Sequence, residues 1–313
     1  MAKLSTKHSS AIQRAIVFGA PKTGKSLLAG KLAEHFNLIW VDLENGHETL
    51  FQLPQEWQER IELISIPDTR SYPMAIETCL KMVKGKCVIC EEHGKVGCMI
   101  CKKNDAPTVT TDLPNLRDPN TVVVWDSMTQ LTNSAISNIT KGQPDDYKLD
   151  YDDWGNLGKL MDIFLSHLQQ SPYHTVVISH EAEVETEGKK KKLVPVGGTR
   201  NFSRNIPKYF DHVVYAEVKN RKHTFASATT YATTILTGSR TDTAIEDTEE
   251  PSLLQIFKPE LYSKAPAPAP ATASVPAKNP SIADKAAAAT STLKPQGGNG
   301  AKDILARLRE AKK

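Results

Sequence analysis

The 313-residue chain lacks any hydrophobic run long enough to cross a membrane, and its first residues contain no apolar segment typical of a secretory signal. Aromatic residues make up only 6% of the sequence, and the formal net charge is only +3. Because so small a charge does not identify a nucleic-acid-binding protein, any such claim must rest on local basic clusters. We therefore expect a soluble, cytoplasmic protein with no membrane partner.

Cysteine is also scarce, with five in the chain, and four of them fall between residues 87 and 101. They form two C-x-x-C pairs, Cys87 with Cys90 and Cys98 with Cys101. Two such pairs can direct four thiolates at one centre, which predicts a small structural four-cysteine zinc site with no ligand position open for catalysis. Paired disulfides or free thiols are the alternative, although disulfides are rare in a reducing compartment.

The most informative stretch reads G-x-x-x-x-G-K-S at residues 19–26. A strand-like apolar run precedes it and apolar residues at helical spacing follow it, the order that a phosphate-binding loop requires. Lys25 should reach the β- and γ-phosphates of ATP, and the Ser26 hydroxyl should ligate Mg²⁺. The alternative is an ordinary glycine-containing turn. The predicted ATP-binding residues are Gly19, Ala20, Pro21, Lys22, Thr23, Gly24, Lys25 and Ser26.

Carboxylates follow two further strand-like runs. Asp42 and Glu44 come after residues 38–41, and Asp126 comes after residues 121–125. Ligands gather at the carboxyl ends of strands in open α/β sheets, so Asp126 should hold Mg²⁺ beside Ser26. Glu44 is the candidate catalytic base that orients water, but Asp42 and Glu44 are equally well explained as caps of a strand end.

Another apolar run, residues 175–178, leads into Ser179 and His180. A polar side chain here should lie near the γ-phosphate, which makes His180 a candidate sensor of hydrolysis. The segment that follows is basic and contains two adjacent glycines, so it predicts either a DNA-binding loop or a solvated charge run. The candidate DNA-binding residues are Lys189, Lys190, Lys191, Lys192, Arg200, Arg204 and Lys208.

Composition divides the chain into parts. We expect an ATPase domain over residues 1–260, with a zinc-knuckle insertion at residues 85–105. Residues 261–300 are rich in Ala and Pro and should form a disordered linker. Residues 301–313 predict a short basic helix, either a docking peptide for a single-strand-binding or replication protein or a frayed solubilising end.

Taken together, these motifs resemble those of the RecA-like ATPases. Val124 to Ser127 matches their Walker B strand, and Ser179-His180 stands where the family has Asn-Gln. More narrowly, residues 151–181 are similar to the phage-encoded nucleotide-binding proteins of the Sak type, which are associated with single-strand annealing. The resemblance covers about residues 12–240. It implies an α/β P-loop NTPase core with a mostly parallel central sheet.

The same resemblance implies ATP and Mg²⁺ as ligands and water activation by Glu44. It also implies a homo-oligomer with ATP between subunits, in which Arg221 or Arg240 acts on the neighbouring site. The predicted function is therefore an ATPase that binds single-stranded DNA and promotes annealing or strand exchange in phage recombination or replication. The alternatives are a nucleotide-switched adaptor and a helicase loader, each recruiting replication proteins through the zinc insertion and the tail.

Overall fold

The computed structural model describes residues 12–69, 72–185, 191–227, 234–240 and 251–262. They belong to one compact unit that ends at Ser263. The predicted C-terminal helix and all of the predicted linker from residue 263 onward lie outside the described residues, as do Lys189 and Lys190.

The described residues form a nine-stranded central sheet and a separate two-stranded sheet. The strands in chain order are β1 (Arg14–Gly19), β2 (Asn37–Asp42), β3 (Ile61–Ser65), β4 (Cys87–Cys90), β5 (Thr108–Thr111), β6 (Thr121–Asp126), β7 (His174–Glu185), β8 (Lys191–Pro195), β9 (His212–Lys219), β10 (Lys222–Ala226) and β11 (Gly238–Ser239). The central order is β10-β9-β1-β7-β6-β2-β3, with β8 beside β7 and β11 beside β9. From β9 to β3 all neighbours on this path run parallel.

Helices cover both faces of the central sheet. They are α1 (Lys25–Gly30), α2 (Gln55–Gln58), α3 (Ala75–Lys84), α4 (Met99–Lys103), α5 (Met128–Ile139), α6 (Tyr151–Gln169), α7 (Arg200–Asn205) and α8 (Leu254–Phe257). Short 3-10 helices lie at Lys31–Glu34, His47–Gln52, Leu113–Asn115, Ile206–Tyr209 and Pro259–Leu261. Among these described helices, none combines the length and the apolar character needed to cross a membrane.

Strand β6 shows how the two faces become buried. Its alternate side chains point in opposite directions, so Val123 and Trp125 join the core beneath α3, α5 and α6. Val122 and Val124 join the second core, which contains residues of α1 and α8. A parallel sheet covered on both faces requires such continuous apolar strands, and the predicted α/β fold with a mostly parallel sheet is confirmed.

The segment after His180 differs from the predicted loop. Strand β7 continues to Glu185 and pairs with β8 in antiparallel register, so Glu183 lies opposite Leu193. This pairing gives the backbone of the polar segment the hydrogen bonds that a loop would leave to water. Beyond this pair of strands, Ile235 forms an isolated bridge to Leu193.

Candidate functional site

The loop after β1 is shaped by its two glycines. Gly19 has φ +155°, and a Cβ added to it would lie 2.0 Å from the carbonyl oxygen of Ala216 on β9. Gly24 has φ +84° and directly precedes α1. Only glycine adopts these conformations without strain, and only glycine permits the close approach to β9. The loop therefore delivers backbone amides and Lys25 to the N-terminus of α1.

The ammonium group of Lys25 is held inside this loop. The residue is 6% exposed, and its Nζ donates to the carbonyl oxygens of Gly19 at 3.0 Å and Ala20 at 2.7 Å. Burial lowers the pKa of Lys25, while the carboxylates of Asp126 and Glu44 act in the opposite direction. A buried cation bound to neutral carbonyl and hydroxyl oxygens is well suited to exchange them for phosphate oxygens.

A hydroxyl and a carboxylate meet where β6 ends. Ser26 Oγ donates to Asp126 Oδ2 at 2.9 Å, and Asp126 lies opposite Asp42 in the parallel register. Burial raises the pKa of Asp126 to about 7, against the Ser26 hydrogen bond, and the nearby Glu44 and Asp42 raise it further. Mg²⁺ prefers oxygen ligands of this kind, and a cation here would relieve the crowding of the acidic groups. The residues present therefore fit the Mg²⁺ that a P-loop ATPase requires.

Asp42 and Glu44 have separate surroundings. Buried Asp42 accepts from the backbone amides of Glu44 at 3.0 Å and Gly46 at 3.2 Å, and its Oδ2 lies 2.7 Å from His47 Nδ1. Glu44 is exposed and accepts a hydrogen bond from Ser127 Oγ, next to Asp126. Asp42 thus caps the strand end, and the carboxylate of Glu44 is accessible to water.

The end of β7 lies beside the phosphate-binding loop. His180 is paired with Gly19 in the parallel register, and its backbone amide donates to Thr129 Oγ1 at 2.8 Å. The preceding Ser179 is fully buried, and its Oγ accepts from the amide of Val196 at 3.1 Å. The strand that carries the candidate sensor is therefore bonded directly to the residue before Gly197 and Gly198.

Several contacts around the site had no signal in the sequence. Ser127 and Thr129 reach Glu44 and His180 only because α5 begins where β6 ends. On β10, His223 Nδ1 lies 3.0 Å from the carbonyl oxygen of Thr23 in the phosphate-binding loop. Such long-range contacts follow from sheet order, which local sequence patterns do not encode.

Three of the candidate DNA-binding residues line two separate depressions. Lys192 and Arg204 line one groove of about 370 Å³, together with Asn201 and Asn205. Lys208 lines a different depression, and its Nζ lies 4.6 Å from the ring centroid of Tyr209.

The other basic candidates among the described residues are exposed or paired. Arg200 is exposed on α7, whereas Lys191 forms an exposed ion pair with Glu183 at 2.6 Å. Of the two candidate trans-acting arginines, Arg240 is bonded to Asp211 at 3.1 Å within its own chain. Arg221 is exposed at the β9–β10 turn.

The cysteine cluster departs from the predicted four-cysteine site. The four groups that come together are Cys90, His93, Cys98 and Cys101, whose ligand atoms all lie within 4.8 Å of one another. Cys87 is not among them: its Sγ lies 3.0 Å from Thr111 Oγ1, and the side chain packs in the main core. The structure contradicts the prediction of Cys87 as a member of this cluster, in which His93 lies instead.

Cys87 lies outside the cluster because of the local backbone conformation. A C-x-x-C pair converges on one metal when it forms a turn, but Cys87 and Cys90 are the two ends of strand β4. Residues three apart in a strand point to opposite faces, so the two thiols cannot share a centre. Cys87 faces the core with Ile89, whereas Cys90 joins Cys98 and Cys101 in a separate small cluster.

The fold and the loop at residues 19–26 define a P-loop NTPase. Residues 11–244 match the AAA domain, and the chain belongs to this family of ATPase domains. Family membership supports nucleotide binding and hydrolysis as the general activity.

Comparison with other proteins adds little beyond the family. No curated protein matches the sequence. One similar solved structure is an ATPase from the type III secretion system of pathogenic bacteria, with 16% sequence identity and a TM-score of 0.36. The alignment covers 66% of this chain and 52% of that one, so the present chain spans about half the length of that ATPase.

Proposed function

We propose that this protein is an ATPase that binds single-stranded DNA in an ATP-dependent manner and promotes annealing or strand exchange in phage recombination or replication. The observation that carries the proposal is the hydrogen bond between Ser179 and Val196. It joins β7, the strand that carries the candidate sensor His180, to a basic segment. Ser179 precedes His180, and Val196 lies four residues beyond Lys192.

The ATPase half of the proposal assigns roles to the grouped side chains. Lys25 binds the β- and γ-phosphates, while Ser26 and Asp126 hold Mg²⁺, which supplies charge neutralisation on the phosphate oxygens. Glu44 accepts a proton as a water oxygen bonds to the γ-phosphorus. The bond between that phosphorus and the oxygen of ADP breaks, and the leaving oxygen retains the electron pair.

The DNA half rests on the groove lined by Lys192 and Arg204. Its amide side chains, Asn201 and Asn205, can donate hydrogen bonds to phosphate or sugar oxygens, and its cations can neutralise phosphates. A groove of this chemistry tracks a nucleic-acid backbone without reading its sequence. His180 would respond to the γ-phosphate, and the Ser179–Val196 bond would transmit its movement to the segment containing Gly197 and Gly198.

The test is binding of a fluorescent oligonucleotide, single-stranded against duplex, with and without ATP and Mg²⁺. Wild type should prefer the single strand and bind it more tightly with ATP, and Lys25→Ala should lose the ATP effect. Lys192→Ala and Arg204→Ala should each weaken binding and reduce the salt dependence of affinity by about one unit of log–log slope. Lys84→Ala on α3 removes an equal charge from an exposed position that does not line the groove and should leave binding unchanged.

The outcomes separate the rival functions. If Lys192→Ala and Arg204→Ala bind as wild type does, this groove is not the DNA site. If no nucleotide state binds DNA, the recombination proposal is wrong, and the adaptor alternative becomes the better account. Efficient loading or unwinding of a helicase substrate without annealing would instead favour the loader.

A further inference from the structure

The group formed by Cys90, His93, Cys98 and Cys101 has the composition and spacing of a closed metal site. Tetrahedral zinc, with bonds of about 2.3 Å to sulfur and about 2.0–2.1 Å to nitrogen, separates its ligand atoms by about 3.5–3.8 Å. His93 Nδ1 lies 3.1 Å from Cys101 Sγ and 3.8 Å from Cys98 Sγ. Since the four ligand atoms lie within 4.8 Å of one another, small side-chain shifts suffice to bind an ion.

The chemistry of the group favours zinc over magnesium or calcium. Three thiols and an imidazole are soft or borderline donors, whereas Mg²⁺ and Ca²⁺ take oxygen ligands. All three cysteines are buried, and the backbone amide of Lys95 lies 3.4 Å from Cys90 Sγ, as a donor to it. With four protein ligands no position is left for substrate, so the ion is structural.

The loop between these ligands is fastened to the central sheet. Gly94 has φ +58°, and a Cβ there would lie 2.4 Å from the carbonyl oxygen of Ser65 at the end of β3. The backbone amide of Val96 donates to Thr78 Oγ1 at 3.2 Å on α3. The insertion thus packs against the edge strand β3 of the central sheet, at the carboxyl end of that strand.

Between those two contacts, Lys95 provides a buried charge. The residue is 5% exposed, and its Nζ lies 3.8 Å from Asp68 Oδ1 and 4.8 Å from the ring centroid of Tyr72. Asp68 also accepts from Ser134 Oγ on α5 and from the amide of Met74 at 2.7 Å. Lys95 is therefore the counter-ion of a carboxylate that links the start of α3 to α5.

We propose that Cys90, His93, Cys98 and Cys101 bind one structural zinc ion, and that this ion fixes the loop that places Lys95 against Asp68. This inference does not depend on DNA binding. Without the ion, the loop from His93 to Cys98 loses the bonds that join its two ends to one centre with Cys90 and Cys101, and the pair of Lys95 and Asp68 loses that support.

The first test is the zinc content of the full chain, purified under reducing conditions and reconstituted with zinc. Wild type and Cys87→Ser should each hold one zinc per chain, because the hydroxyl introduced by Cys87→Ser can still bond to Thr111. His93→Ala and Cys98→Ser should lose most of it, and His93→Cys should regain it. Absence of zinc from wild type would overturn the proposal, as would loss of zinc from Cys87→Ser with retention in His93→Ala.

Cobalt substitution tests the ligand set by a spectrum of the wild-type protein. Co²⁺ in a tetrahedral thiolate site absorbs visible light, and its thiolate charge-transfer intensity increases with the number of bound thiolates. Wild type should give the spectrum of three thiolates and one nitrogen, and His93→Cys that of four thiolates. A four-thiolate spectrum in wild type would contradict the role of His93.

The second half of the proposal is tested by hydrogen exchange of the Val96 amide before and after chelation. Exchange at Val96 should accelerate when zinc is removed, whereas amides of the buried strand β1 should keep their protection. Unchanged exchange at Val96 after complete removal of zinc would show that the ion does not hold the loop.

Discussion

Replacing Glu44 by Gln separates the role of this carboxylate from that of Asp42, the last residue of β2. Glu44 is exposed, and the amide oxygen of Gln can still accept the hydrogen bond of Ser127 Oγ. The fold should therefore tolerate the change, with a free energy of unfolding within about 0.5 kcal/mol of wild type. Loss of a general base should lower the turnover of ATP by about 10²–10⁴-fold, equivalent to about 3–5 kcal/mol in the activation barrier.

The matched variant is Asp42→Asn, which should show the opposite pattern. Asp42 is buried and receives the amides of Glu44 and Gly46 on Oδ1, while Oδ2 faces the amide of His47 at 3.3 Å. An Asn side chain places its NH2 group against at least one of these donors. Such a mismatch should cost about 1–3 kcal/mol of stability.

The assays are steady-state phosphate release, binding of a fluorescent ATP analogue, and urea unfolding. Glu44→Gln should bind the analogue with an affinity within a few-fold of that of wild type, while its turnover of ATP falls sharply. Turnover equal to wild type in a folded Glu44→Gln protein would refute the assignment of Glu44 as the base. A stability loss at Glu44→Gln larger than at Asp42→Asn would refute the separation of the two roles.

Three further predictions concern stability, each measured by urea unfolding. Gly19→Ala should lower the free energy of unfolding by more than about 2 kcal/mol, because the added Cβ meets a backbone oxygen of β9. Gly142→Ala, also at positive φ but in open space, should lower it by about 1 kcal/mol. Equal decreases in the two variants would contradict this prediction. Burial lowers the pKa of His212 from 6.5 to about 4, partly opposed by the neighbouring carboxylate. The unfolded chain therefore takes up the proton first as the pH falls. Between pH 7 and pH 5, the free energy of unfolding of wild type should fall by about 2 kcal/mol more than that of His212→Gln; equal decreases would refute this prediction. Lys95→Met should lower the free energy of unfolding by about 3 kcal/mol, because it removes the buried cation beside the Asp68 carboxylate, and a decrease below about 1 kcal/mol would show that the pair contributes little.

The sequence predicted those parts of the site whose signal is local. The G-x-x-x-x-G-K-S loop has a fixed spacing, and Asp126 directly follows an apolar strand, so both could be placed before the fold was known. The structure brings Lys25, Ser26, Glu44 and Asp126 together where the strands end. The catalytic role of Glu44 stays a prediction until turnover is measured.

The parts that the sequence did not predict depend on backbone geometry and on strand order. The spacing of Cys87 and Cys90 suits a turn, but these residues form a strand, and His93 gave no sign that it would replace Cys87. The polar and charged residues after His180 predict a loop, but the structure pairs them as β7 and β8. Strand β8 pairs with the end of β7 that extends beyond β1 and β6, and composition does not reveal this extension.

The most direct test of the proposed function is the affinity of Glu44→Gln for a single-stranded oligonucleotide, measured with saturating ATP and Mg²⁺ and again without nucleotide. This variant should retain ATP unhydrolysed, so under the proposed assignment the γ-phosphate would stay in reach of His180 throughout the measurement. We expect affinity to rise by about tenfold or more with ATP, a coupling typical of linked binding sites. Equal affinity in the two states would contradict the claim that the ATP site controls DNA binding.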